Sequence, residues 1–145
     1  MPDAAGGGLP LEEHIGVALR RAYQHAVANL TERIAPFELS PMGFSVLVRL
    51  RDQGPHTQNS LGRSIFMEPA NIRELVGRLE ARDLVRRDPD PGDRRAVVVS
   101  ITPAGLALLD VARGEADAAN AGTLSALSAR EREQLFGLLG RLVGS

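Results

Sequence analysis

The chain has 145 residues, 43% hydrophobic and 24% charged, with a formal net charge of −1 at pH 7. That balance suits one compact soluble domain and excludes a disordered, fibrous or strongly basic chain. No cysteine is present and every basic residue is arginine, which excludes disulfides, thiolate metal sites, thiol redox sensing and lysine-based covalent or phosphate-loop chemistry.

The opening residues combine no positive region with an apolar run, so no export signal is expected, and no stretch approaches the ~20 apolar residues of a membrane span. The cytoplasm is the expected compartment. Gly6, Gly7 and Gly8 read as part of a flexible tail over residues 1–9, ahead of a single domain over 10–145. Leu11, Ile15, Ala18, Leu19, Ala22, Ala26 and Leu30 recur at helical spacing and predict a first helix from about Pro10 to Thr31. Ser40-Pro41 predicts a capped second helix with Phe44, Leu47 and Leu50 as its buried stripe and Gly54-Pro55 as its stop.

A short third helix is expected from about Gln58 to Phe66, with Leu61, Ile65 and Phe66 apolar. The fourth runs from about Pro69 to Arg82, with Ile72, Leu75, Val76 and Leu79 as its stripe. Val85-Arg86-Arg87 and Val97-Val98-Val99 then read as two short strands around a loop rich in turn formers that ends in Asp93-Arg94-Arg95. Strand content is expected in this hairpin alone. Thr102-Pro103 opens a fifth helix running toward Ala121, and Ser128 with Glu131 has capping-box spacing for a last helix over about Ala129–Val143, striped by Leu135, Leu138, Leu139 and Leu142.

The expected fold is mainly α, a winged helix-turn-helix with a small β-hairpin wing. In such an arrangement the second helix of the pair enters the major groove and the wing reaches the backbone or minor groove. Asn71 and Arg73 near the start of the fourth helix are the candidate base readers, since Asn can bond adenine and Arg guanine in a bidentate way. Arg94 and Arg95 at the wing have the planar charge that minor grooves attract. Gln58, Asn59 and Ser60 at the start of the third helix are candidate phosphate contacts.

The stretch TQNSLGRSIFMEPANIRELVGRLEARDLVRR, the wing DRRAVVVSITPAG and the segment LSPMGFSVLVRL resemble the MarR family (multiple-antibiotic-resistance regulators). The resemblance implies a homodimer that binds a pseudo-palindromic double-stranded DNA operator, represses transcription, and releases DNA when a small aromatic or phenolic effector binds. It implies a DNA-binding lobe over residues 35–102, with dimerisation helices over 10–34 and 103–145. It places Ala70, Asn71, Arg73 and Glu74 at base-facing positions and Arg94 at the wing tip, with Asp93 and Arg95 bracing the wing by a charge-assisted hydrogen bond. It also implies that the first helix lines a ligand pocket, for which Arg20, Arg21, Tyr23 and His25 are candidates. Glu68 stands where the family commonly has a Ser or Asp cap.

Other readings carry less. From Arg63 to Arg95, eight arginines face seven acids, a balance that a solvated surface would share. Arg86 and Arg87 are expected either to contact phosphate or to pair with Asp83 and Asp88. His14 and His25 read as one helix face about 16 Å apart, too far to share an ion; no metal or cofactor is expected. No catalytic constellation is present, so no enzyme is expected. The alternative function is a winged-helix protein-interaction module without DNA affinity, favoured by the near-zero net charge.

Overall fold

Local signals set most helix ends in the computed structural model, which describes residues 7–145; residues 1–6 of the expected tail lie outside the described residues. A 3-10 turn, Leu11–Glu13, precedes α1 (Ile15–Ile34). The helix therefore starts later than Pro10, and His14 closes the turn outside it. His14 and His25 do not share a helix as their spacing predicts. A second 3-10 turn, Ala35–Phe37, contains Pro36 and ends this segment.

In α2 (Pro41–Gln53) the Ser40 hydroxyl accepts the Gly43 N–H at 3.0 Å and Gly54 closes the helix at φ 80°. In α3 (Gln58–Ser64) the Thr57 hydroxyl accepts the Ser60 N–H at 3.2 Å. The chain leaves the helix at Ile65, so Phe66 is not in an apolar stripe as expected; it lies at φ 60° and is 96% exposed. Periodicity marks a face only while the helix lasts. α4 (Pro69–Ala81) buries Ile72, Leu75, Val76 and Leu79, as its pattern requires.

Strand content is not confined to the hairpin. β2 (Val85–Asp90) and β3 (Asp93–Ile101) are joined by β1 (His56–Thr57) into an antiparallel sheet of order β1-β3-β2, with His56 opposite Val99 and Thr57 opposite Val98. His56 thus lies in a strand rather than a loop. The hairpin strands also run further than expected, leaving only Pro91 and Gly92 as the turn. α5 (Pro103–Thr123) starts where the Thr102 hydroxyl accepts the Gly105 N–H at 3.0 Å and donates to the Asp83 carbonyl at 2.6 Å. A Cβ on Gly105 would lie 2.2 Å from the Leu84 carbonyl oxygen, so only glycine fits. α6 (Ala129–Val143) opens with a reciprocal capping box between Ser128 and Glu131.

The described chain divides into two units: Thr31–Ala118, and residues 7–30 with 119–145. In the first, Ile34, Leu47, Leu61, Ile72, Val76, Val99 and Leu109 are fully buried, each contributing roughly 1.5–3 kcal/mol of transfer free energy. In the second, Asn29 Nδ2 donates to Thr123 Oγ1 at 2.9 Å. Among its described hydrophobic residues only Ala119 is buried, and Leu11, Ile15, Leu19, Phe136, Leu138, Leu142 and Val143 are exposed. No helix among the described residues is long and apolar enough to cross a membrane.

Candidate nucleic-acid interface

α4 begins without a side-chain cap, because Glu68 at the N-cap makes no capping hydrogen bond and Pro69 supplies the start. Its four buried residues leave Ala70, Asn71, Arg73, Glu74 and Arg78 exposed. Residues two apart on a helix are turned by about 200°. Asn71 and Arg73 therefore flank the exposed strip on its two sides, and Ala70 with Glu74 occupies the middle. Arg78 follows Asn71 by seven residues and shares its side of the strip. Arg78 is not among the readers expected from the sequence; its seven-residue interval from Asn71 is the signal that could have found it.

Arg94 and Arg95 sit at the start of β3, beside the two-residue turn, and both are exposed. They are strand residues rather than loop residues, so their side chains leave opposite faces of the hairpin. The charge-assisted hydrogen bond between Asp93 and Arg95 is not made by the guanidinium. Asp93 Oδ1 instead accepts the backbone N–H of Arg95 at 3.0 Å, and two positions apart on a turn margin this backbone donor is nearer than the guanidinium. The Gly92 N–H is held likewise by Asp90 Oδ1 at 2.9 Å.

The hairpin is tied to α4 by one clamp. Glu80 Oε1 accepts Arg87 Nε at 3.2 Å and a terminal guanidinium nitrogen at 2.9 Å, while Oε2 accepts the Arg87 backbone N–H at 3.1 Å. The Arg87 side-chain bonds, followed by its backbone N–H, hold the Glu80 carboxyl below the usual carboxylate range. Arg87 thus pairs with Glu80 rather than Asp83, whereas Arg86 does pair with Asp88, at 2.8 Å. Arg82 donates to the carbonyls of Phe37 and Glu38.

At the start of α3 the three expected phosphate contacts separate. Asn59 is exposed. Ser60 is half-buried, with its N–H taken by Thr57. The Gln58 amide oxygen is buried without a hydrogen-bond partner, and the residue as a whole is half-buried.

Pairing sorts the arginines of this unit. Arg33, Arg51, Arg86, Arg87 and Arg113 form ion pairs with Glu115, Asp110, Asp88, Glu80 and Asp52. Arg63, Arg73, Arg78, Arg94 and Arg95 form none among the described residues and are exposed. Arg49 on α2 and Arg82 at the end of α4 form no ion pair among the described residues either, but donate to the carbonyls of Ser64 and of Phe37 and Glu38. The exposed arginines with no side-chain partner lie on α3, α4 and the head of β3.

In the other unit, an open hollow of about 560 Å³ is lined by Glu12, Val17, Ala18, Arg21, Ala22 and His25. Of the four candidate ligand residues, it takes Arg21 and His25; Arg20 and Tyr23 are exposed elsewhere on α1.

Residues 39–97 match the sequence model of the MarR family. The HTH-type transcriptional repressor NicR of Pseudomonas putida is 38% identical over 133 residues, covering 92% of this chain and 84% of that protein. A probable transcriptional regulator from Pseudomonas aeruginosa has a similar structure, with a TM-score of 0.85, 41% identity, and 92% and 99% of the two chains covered. So has BpsR of Bordetella bronchiseptica, whose DNA binding is regulated by 6-hydroxynicotinic acid, with a TM-score of 0.89, 34% identity, and 96% and 99% covered.

Proposed function

The chain belongs to the MarR family, and from that membership we propose that it is a homodimeric, DNA-binding transcriptional repressor released from its operator by a small aromatic acid. The observation that carries this reading is the sorting of arginines. The exposed cations left without any side-chain partner cluster on the α3–α4 pair and the head of the wing, while the others in the unit are held by carboxylates or, for Arg49 and Arg82, by backbone carbonyls. Near-zero net charge is then no obstacle, because a duplex meets the local patch.

In this reading Arg73 and Asn71 reach base edges from the two sides of α4, Ala70 lets the helix approach closely, and Glu74 accepts from a cytosine amine. Arg94 enters the minor groove, Arg95 and Arg78 meet phosphates, and Asn59 with Ser60 supports the backbone contact at α3. Asp93 acts through the Arg95 backbone N–H and keeps the head of β3 in place. The lobe that reads DNA is the expected 35–102 segment, and the flanking helices join two copies through the apolar side chains they expose. Arg21 and His25 in the hollow on α1 bind the carboxylate and ring of the effector. A repressor of this kind works in the cytoplasm and needs no catalytic residues.

The test is a salt-titrated gel shift with the DNA upstream of the protein's own gene, repeated with 6-hydroxynicotinic acid. Specific binding that the acid weakens, together with a melting point the acid raises, is the expected result. No binding to any duplex would leave the protein-interaction reading instead.

A further inference from the structure

Phe66 occupies a position that the backbone reserves for glycine. The C-terminus of α3 closes with the Met67 N–H on the Gly62 carbonyl at 2.8 Å and the Phe66 N–H on the Arg63 carbonyl at 3.2 Å. These are the two bonds of a Schellman motif, whose left-handed residue is usually Gly because a Cβ is strained there. Phe66 holds that place at φ 60°. Its ring is 96% exposed, so burial within the described chain does not offset the strain.

The surroundings narrow what the ring meets. In the Thr31–Ala118 unit the exposed large hydrophobic residues are Phe66 and Val111; the others lie on residues 7–30 and 119–145. Phe66 therefore does not belong to the unit whose apolar surface is assigned to the second copy. It stands two residues before the N-cap of α4, Glu68, on the short link between the two helices of the reading pair. Arg63, one of the unpaired arginines, closes the same turn through its carbonyl. At the head of a groove-reading helix, an exposed aromatic side chain comes within reach of the major groove, where the apolar feature is the thymine 5-methyl group.

We propose that Phe66 is a specificity residue that packs against a thymine methyl at the edge of the α4 footprint. The inference rests on the DNA-reading function above. The contact is salt-independent, since the ring carries no charge, and it uses a locally strained residue for recognition.

Phe66→Gly tests it because the two readouts move in opposite directions. Relief of the left-handed strain raises Tm, while affinity for the footprinted upstream duplex falls roughly five- to tenfold with an unchanged salt slope. Phe66→Asn, which also tolerates φ > 0, loses affinity in the same way. Replacing thymidine by deoxyuridine within the footprint, one position at a time, weakens wild-type binding at one position by a similar factor and leaves Phe66→Gly indifferent. Equal affinity of wild type and Phe66→Gly overturns the proposal, as does a lowered Tm, which makes the ring structural. A loss on Phe66→Gly with no deoxyuridine effect on the wild type also overturns it. If the wild type binds no duplex at all, the DNA reading itself fails and this contact with it.

Discussion

Chemically identical arginines differ here only in what stands beside them. Arg86 lies 2.8 Å from Asp88 and Arg87 is clamped on Glu80, whereas Arg94 and Arg95, a few positions along the same hairpin, form no ion pair among the described residues. Arg94→Ala should therefore weaken duplex binding and reduce the slope of log K against log salt by about one. Arg86→Ala should leave the slope unchanged, because its charge is already compensated by Asp88. A salt titration of both variants reads the difference directly, and equal slopes for wild type and Arg94→Ala would remove Arg94 from the interface. The positions of these arginines were plain in the sequence. Their freedom was not, because Glu80 and Arg87 come together only when the turn after α4 folds β2 back along the helix.

At the scale of elements, local rules were legible where the deciding atoms are neighbours in the chain. Ser40, Thr102 and Ser128 cap the helices that their spacing predicts, and the bounds of α6 follow from its capping box. The two-residue β1 was not legible, since its pairing partner in β3 lies some forty residues onward and two residues carry no period. Gly105→Ala should destabilise by roughly 3 kcal/mol, as a Cβ cannot share space with the Leu84 carbonyl. Urea unfolding of that variant measures it; an unshifted midpoint would mean that the start of α5 can move aside freely. The Glu80 clamp adds a pH dependence of known sign. Its carboxyl is lowered in the folded protein, so its stabilisation is present above the unfolded value and is lost as pH falls through the folded one. Asp52, held down chiefly by its hydrogen bond from Arg113, and Glu131, by the Ser128 N–H, behave alike. Glu80→Gln should lower Tm at neutral pH and converge on the wild type in acid, and a gap that persists in acid would assign the effect to packing rather than charge.

For the whole molecule, the imbalance between the two units is the main physical fact. One buries nearly all of the apolar core and the other leaves Leu11, Ile15, Leu138 and Leu142 in water, a surface of the kind that a second copy covers. Leu138→Asp should convert the dimer to a monomer and weaken operator binding at least tenfold, because one lobe alone loses the linkage between half-sites. Light scattering with a gel shift checks it; a dimeric Leu138→Asp with full affinity would place the interface elsewhere.

By itself the sequence determined the mainly helical order, the core stripe of α4, the capped starts and the absence of thiol and lysine chemistry, all of which depend on residue identity and short spacing. Only the tertiary structure decided which arginines stay unpaired, that Asp93 holds a backbone N–H rather than a guanidinium, that Gln58 turns its amide oxygen inward, and that Phe66 stands in water at a glycine's dihedral angle. Each of these depends on where a helix stops or which distant segment arrives beside it, and no periodicity within a short stretch of chain carries that information.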